Sequence, residues 1–147
     1  MGEVKLTAKQ YLEQIQEIDI CINQDLTRIA EMKTNASGNA AIDYSKDKVR
    51  ASPKNTQEIL ICNYAYLEEK LNAKVDQFIN AKEQVINEIR GLHNKNYINV
   101  LYKIYVEYKN IRQVASEMSM SYSYTLELHK KALETFEKTY KNLSYLT

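Results

Sequence analysis

Two long stretches of the chain carry apolar residues at the spacing of an α-helix, with polar residues between them. The first stretch runs from Thr7 to about Thr34, and its apolar side chains recur at steps of three or four residues. The second runs from Thr56 to Arg90 with the same spacing, interrupted only by Lys82. The pattern predicts two long helices, each with one buried face. The stripe positions are Tyr11, Ile15, Ile18, Ile22, Leu26 and Ile29 in the first stretch, and Leu60, Tyr64, Leu67, Leu71, Val75, Phe78, Val85 and Ile89 in the second.

The second helix is too long for a chain of this size to cover by itself. At about 1.5 Å per residue, a helix from Thr56 to Arg90 spans roughly 50 Å. The first helix covers part of it by folding back as an antiparallel, coiled-coil-like hairpin, but it is shorter, at about 40 Å. Apolar rows that stay uncovered invite the same rows of a second chain. We therefore expect a homodimer that forms through the long helices.

A loss of periodicity marks the connector between the two helices. Residues 34–55 read as a long loop, and Ser52 followed by Pro53 supplies a cap and a first turn for the second helix. A second break comes after the second helix, around residue 93. We therefore divide the chain into a helical hairpin and dimerisation region, residues 1–93, and a C-terminal domain, residues 94–147.

The C-terminal domain predicts shorter elements. A segment dense in apolar and aromatic residues begins around Asn96. Asn110 then caps a two-turn helix over residues 111–118, and residues 119–121 form a tight turn. A longer amphipathic helix follows, from Tyr122 to about Asn142.

Composition narrows the fold to the all-α class. The chain has three Gly and one Pro in 147 residues, which leaves too little turn chemistry for a many-stranded sheet. It has no run of about 18 apolar residues, so no membrane span is predicted. The first ten residues, MGEVKLTAKQ, lack the basic and apolar segments of a secretory signal. We expect a soluble protein of the cytoplasm with no membrane partner.

Candidate catalytic chemistry is sparse. Cys21 and Cys62 have no Cys or His neighbour at metal-ligand spacing, and His93 and His129 are the only histidines. The sequence has no Gly-rich phosphate loop and no nucleophile elbow. We expect no catalytic residue, no metal site and no cofactor, and thus a protein that is not an enzyme. His129 is best explained as a packing or backbone-bonding residue.

Charge and tyrosine content differ between the two regions. The net charge is +1 overall, but residues 94–147 carry eight Lys or Arg against five Asp or Glu. The same residues hold eight of the 12 Tyr. This composition permits a partner that carries phosphate.

Residues 110–133, NIRQVASEMSMSYSYTLELHKKAL, have the pattern of a helix-turn-helix. That motif needs a small residue where its helices cross, apolar residues that fix a steep angle, a short turn, and a second helix with one free face. Ala115 is the small residue, and Ser121 caps the second helix. The expected locking residues are Val114, Met118, Met120, Thr125, Leu128, Ala132 and Leu133.

The outward face of the second helix holds the candidate DNA-binding residues. Serine hydroxyls serve several bases, Glu127 can accept from cytosine N4, and Leu126 can touch a thymine methyl group. The side chains expected at base edges are Tyr122, Ser123, Leu126, Glu127 and Lys130, with Tyr124 at the margin. The side chains expected at phosphates are Arg112, Gln113, Lys130 and Lys131.

This segment resembles region four of housekeeping-type bacterial sigma factors. In that region an apolar residue followed by Ala, a short turn ending in Ser or Thr, and a final Ala-Leu pair recur. Val114 with Ala115, Ser121, and Ala132 with Leu133 match them. The resemblance implies a DNA-binding helix-turn-helix.

Over roughly residues 7–140 the chain resembles the small regulators of Gram-positive phages and prophages of the ArpU and RinA type. The matching features are the helix start Tyr11 to Ile15, the Ser52-Pro53 pair, and His129 followed by Ala132 and Leu133. The resemblance implies a transcriptional regulator that acts on promoter DNA, with RNA polymerase as a further partner.

Three positions depart from the pattern of these regulators. Ser123 and Glu127 stand where Arg is common, and Ser119 stands in the turn where Gly is frequent. Fewer cations weaken the phosphate contribution to affinity. Two hypotheses therefore stand: a dimeric, sequence-specific DNA-binding regulator of phage or prophage genes, or a helical protein-interaction module, for example one that binds RNA polymerase or a phage protein without DNA.

Overall fold

The chain is all-helical wherever the structure describes it. The computed structural model describes residues 5–37 and 53–146, and within these ranges the backbone forms five α-helices and no strand. The all-α prediction is confirmed. The helices are α1, Ala8–Ser37; α2, Pro53–Arg90; α3, Lys95–Leu101; α4, Ile111–Glu117; and α5, Tyr122–Thr139. A π-helical turn, Tyr102–Val106, continues α3.

Both long helices lie where the periodicity predicts them. α1 begins one residue after Thr7 and continues past Thr34 to Ser37. α2 begins at Pro53, as predicted for the first turn, because the fixed φ and missing N–H of proline suit the first position of a helix. Ser52, the expected cap, and most of the connector lie outside the described residues.

In residues 20–37 and 53–76, which belong to one compact unit, α1 and α2 pack together. Ion pairs join Lys33 to Glu68 at 2.6 Å and Asp25 to Lys74 at 2.8 Å. The earlier α1 residue pairs with the later α2 residue, so the two helices run antiparallel, as the predicted hairpin requires. The buried stripe side chains of this unit are Ile22, Ile29 and Leu71.

Residues 5–19 and 77–146 form the second compact unit. Here the start of α1 and the end of α2 pack on the C-terminal helices, because both carry stripe residues that bury against the short helices. The core side chains include Tyr11, Leu12, Ile15, Val85, Ile89, Val100, Leu101, Val114 and Phe136.

The last helix is shorter than the sequence predicts. α5 ends at Thr139 rather than near Asn142, and residues 140–146 run along the start of α1. The backbone N–H of Leu6 donates to the carbonyl of Leu143 at 3.0 Å, and the side chain of Leu143 is buried. Gln14 holds the same segment, because its Oε1 accepts the N–H of Leu146 at 2.8 Å.

None of the helices in the described ranges is both long enough and apolar enough to cross a membrane.

Candidate nucleic-acid interface

The helix α4 starts at a capping box. Asn110 Oδ1 accepts the backbone N–H of Gln113 at 2.9 Å, and Gln113 Oε1 accepts the backbone N–H of Asn110 at 3.0 Å. These bonds satisfy two of the N–H groups that have no partner at a helix start. Asn110 is the predicted cap. Gln113 was expected at phosphate, and the structure gives it a role inside the chain that leaves its side-chain NH₂ for a ligand.

The turn after α4 is a Schellman motif. The N–H of Met120 donates to the carbonyl of Ala115 at 2.9 Å, and the N–H of Ser119 donates to the carbonyl of Ser116 at 3.2 Å. This pattern places Ser119 in the left-handed region, with φ of 56°. The predicted turn at residues 119–121 is confirmed. Ser119 occupies its left-handed position, which glycine adopts without steric cost because it has no Cβ.

The start of α5 is fixed by its cap. Ser121 Oγ accepts the backbone N–H of Tyr124 at 3.1 Å, as the sequence predicts. The hydroxyl of Thr125 donates to the carbonyl of Ser121 at 2.8 Å, so the buried threonine has its partner. Two hydrogen bonds to Ser121, one to its side chain and one to its carbonyl, therefore stabilise the first turn of α5.

The two helices meet through the predicted residues. Val114 and Ala115 of α4 are buried, as are Thr125, Leu128 and Ala132 of α5. Ala115 gives α5 room to approach α4 closely. The other locking residues are partly buried; they are Met118, Met120 and Leu133. The α4–turn–α5 arrangement is thus two separate helices braced across a short turn.

The opposite side of α5 faces solvent. Its large side chains are well exposed: Tyr122 at 46%, Tyr124 at 54% and Leu126 at 42%. Tyr122 and Leu126 lie four residues apart and therefore share one face of the helix. The remaining predicted residues of this face and of α4 are exposed as well; they are Arg112, Gln113, Ser123, Glu127, Lys130 and Lys131.

The lysines near the candidate surface form ion pairs with acidic side chains, whereas the cations of the surface itself do not within the described residues. Lys103 and Lys109 both contact Glu117, at 2.7 and 2.8 Å. Lys103 first and then Lys109 hold the pKa of Glu117 below its usual value. Among the described residues no such ion pair includes Arg112, Lys130 or Lys131. These three cations, which the sequence predicts at phosphates, are therefore not neutralised by an ion pair within the described residues.

A partly buried pair of side chains lies on the inward side of α5. The Tyr105 hydroxyl lies 2.7 Å from Nε2 of His129. Burial, with a smaller effect of Lys9, lowers the pKa of His129, which favours the neutral ring at this contact. His129 is therefore a packing residue bonded to a side chain. Sequence reasoning missed Tyr105 as its partner because the pairing depends on the π-helical turn, which leaves no signal in the sequence.

A shallow groove of about 190 Å³ flanks the face. Asn94, Asn96 and Tyr97 line one side of it, and Tyr124 and Lys131 are among the residues that line the other. Asn94 Oδ1 accepts the N–H groups of Asn96 and Tyr97 at 3.0 and 3.1 Å, which makes it the cap of α3. Sequence reasoning did not include these three residues, since their distance from α5 along the chain hides their proximity.

Within the described ranges, no group of three or more His, Cys, Asp or Glu is arranged to hold a metal ion.

The fold and the site define an all-helical protein with a helix-turn-helix near its C-terminus. The chain belongs to the family described as "Protein of unknown function (DUF1492)", whose model matches residues 39–137. That match contains α4, the turn and every residue of the candidate surface. Neither the comparison with curated proteins nor the comparison with solved structures returns a match.

Proposed function

We propose that this chain binds double-stranded DNA in a sequence-specific manner through α5 and thereby regulates transcription. The observation that carries the proposal is the outward face of α5, which is exposed while its opposite side is buried against α4. The major groove of B-DNA is about 12 Å wide and admits one helix presented in this way.

The roles of the side chains follow from their chemistry. Ser123, Leu126 and Glu127 lie on the outward face, where a hydroxyl, a branched apolar group and a carboxylate can reach base edges. Arg112 and Lys131 contact phosphates on the groove edges, which positions α5 without selecting a sequence. Lys130 can reach either a base edge or a phosphate.

The resemblance to ArpU-type and RinA-type regulators supports the biological setting. We propose that the protein acts in the bacterial cytoplasm on promoter DNA of phage or prophage genes, beside RNA polymerase. The resemblance of residues 113–133 to sigma factor region four supports the same partner, since that region also works beside RNA polymerase at promoters.

The test of DNA binding is a fluorescence-anisotropy titration against duplexes from around the gene's own locus, at two salt concentrations. We expect saturable binding that weakens with salt. The double variant Lys130→Glu with Lys131→Glu should weaken binding to all duplexes, while Ser123→Ala should change the preference among them. The charge-matched control is Lys70→Glu with Lys74→Glu, two exposed lysines of α2 that do not belong to the candidate surface. Absence of saturable binding by the unaltered chain contradicts the proposal.

We also propose a homodimer through the long helices. Several large apolar side chains of the unit formed by residues 20–76 are exposed: Ile20 at 48%, Leu26 at 50%, Ile59 at 59%, Ile61 at 46% and Tyr66 at 57%. Leu26 belongs to the apolar stripe and yet lies half in solvent. Such a surface favours a second copy of the chain, whose long helices offer the same rows.

Sedimentation equilibrium tests the dimer. Ile59 and Tyr66 lie seven residues apart on α2 and therefore share a face. We expect the unaltered chain to sediment as a dimer and the variant Ile59→Glu with Tyr66→Glu as a monomer. Asn72→Glu, an exposed position on another side of α2, is the control that should stay dimeric. A monomeric unaltered chain contradicts the proposal.

The second candidate function is a protein-interaction module. Its supporting observation is that Tyr122, Tyr124 and Leu126 are exposed together, because tyrosine-rich surfaces serve protein interfaces as well as DNA. Binding to purified RNA polymerase without DNA tests it. If this function holds, Leu126→Glu abolishes polymerase binding and the Lys130 and Lys131 variants leave it unchanged.

A further inference from the structure

Arg112 and Tyr122 contact each other across the turn of the helix-turn-helix. The guanidinium carbon of Arg112 lies 5.2 Å from the centre of the Tyr122 ring. Arg112 belongs to the first turn of α4, and Tyr122 is the first residue of α5. Both side chains are exposed. The contact thus lies on the surface proposed for DNA, at the end of α5 that enters the groove.

A stacked guanidinium keeps its hydrogen-bonding edge free. The cation is attracted to the face of an aromatic ring within about 6 Å of the ring centre. The five N–H donors of arginine point outward in the plane of the group, so a ring on one face leaves them available to phosphate oxygens. The ring therefore restricts where Arg112 points without using the donors that a phosphate needs.

We infer that Tyr122 is a positioning residue for Arg112 and not a reader of base edges. The inference rests on the proposed DNA binding. In the free protein the ring already holds the guanidinium over the start of α5, so less side-chain freedom is lost when Arg112 binds phosphate. Sequence preference then falls to Ser123, Leu126 and Glu127, which extend the outward face beyond the stack.

A double-mutant cycle on DNA affinity tests this role. The probe is a duplex from around the gene's own locus, the same DNA as in the anisotropy titration, and the variants are Tyr122→Ala, Arg112→Ala and both together. We expect Tyr122→Ala to weaken binding about two- to fivefold, the range of an exposed cation–π contact. In the Arg112→Ala background, Tyr122→Ala should have no further effect, because the group that it positions is gone.

Three further measurements separate positioning from a structural or base-reading role. Tyr122→Phe keeps the ring and removes the hydroxyl, so it should bind like the unaltered chain. Tyr122→Ala should lower the salt dependence of binding in the same direction as Arg112→Ala, which loses about 0.9 from the slope. Tyr122→Ala should also leave the ranking of a panel of duplexes unchanged, whereas Ser123→Ala should alter it. Tyr145→Ala, which removes an exposed tyrosine that does not belong to the candidate surface, is the control for loss of an exposed side chain.

The outcomes distinguish the two claims. If the unaltered chain does not bind the duplex, the proposed function fails. If it binds and Tyr122→Ala weakens binding equally with and without Arg112, the positioning role is wrong. A changed duplex ranking in Tyr122→Phe likewise contradicts it, because the hydroxyl would then read bases.

Discussion

The turn between α4 and α5 offers a sharp test of the helix-turn-helix, through the left-handed residue Ser119. Its φ of 56° costs an L-residue about 1 to 2 kcal/mol, and glycine avoids that cost. Glycine also raises the conformational entropy of the unfolded chain, which lowers the free energy of unfolding by about 0.4 to 1 kcal/mol. We therefore expect Ser119→Gly to raise the free energy of unfolding by about 0.5 to 1 kcal/mol. Ser119→Ala should stay near the unaltered value, and Ser119→Val should lose about 1 to 2 kcal/mol, since a β-branched residue is strained at positive φ.

Urea unfolding at a constant m value measures this series, and each kcal/mol corresponds to about 4 °C in Tm for a chain of this size. DNA affinity serves as the second readout. Ser119→Gly keeps both hydrogen bonds of the turn, so it should bind like the unaltered chain. If the glycine variant is no more stable than the alanine variant, Ser119 is not left-handed, and the bracing of α5 by α4 described above is wrong.

Three more predictions follow from the unit that holds α5. Burial lowers the pKa of His129 below the 6.5 of the free side chain, so the unfolded chain takes up the proton more readily. The free energy of unfolding should therefore fall as pH drops below about 6.5, and His129→Gln should flatten the pH profile measured by urea unfolding. Gly91→Ala places a Cβ 2.5 Å from the hydroxyl oxygen of Tyr140, so thermal unfolding should show that the free energy of unfolding falls by about 1 to 3 kcal/mol. Adding Tyr140→Phe to the same chain removes that hydroxyl and should restore part of the loss. Equal losses with Tyr140 and with Phe at position 140 would contradict the contact. Ser121→Ala removes the cap of α5 and should cost about 1 kcal/mol by the same measurement, whereas Ser121→Asp should cost little.

The sequence determines the helix-turn-helix locally, and for that reason it could be predicted. The cap at Asn110 and the cap at Ser121 need only residues three positions ahead along the chain. Ala115 and Thr125 are buried because the helical period places them on the shared face. The residues of α5 that this helical period does not place on the buried side then form its exposed face.

The end of α5 depends on contacts that periodicity does not record. The Tyr140 hydroxyl donates to the carbonyl of Glu88 at 2.8 Å, and its ring lies 4.9 Å from that of Phe136. These contacts hold Tyr140 in an extended conformation, with φ of −116°, although the apolar spacing continues through Leu143. The end of α5 and the groove around Asn94 both depend on contacts between residues far apart in the sequence. Neither could therefore be predicted from the local pattern.

The charge on the candidate surface connects the two proposals. Three cations, Arg112, Lys130 and Lys131, give one helix-turn-helix a salt slope of about −2.7, taking −0.9 for each neutralised phosphate. Glu127 and Glu134 lie seven residues apart on α5, so they share a face and oppose phosphate. One such head has little non-specific affinity, and each base contact adds only about 1 to 3 kcal/mol of discrimination. If both proposals hold, two heads in one dimer double both contributions, so we expect the dimer to select a DNA site more tightly than a monomer. A monomeric Ile59→Glu with Tyr66→Glu variant that selected a site as tightly as the unaltered chain would contradict this expectation.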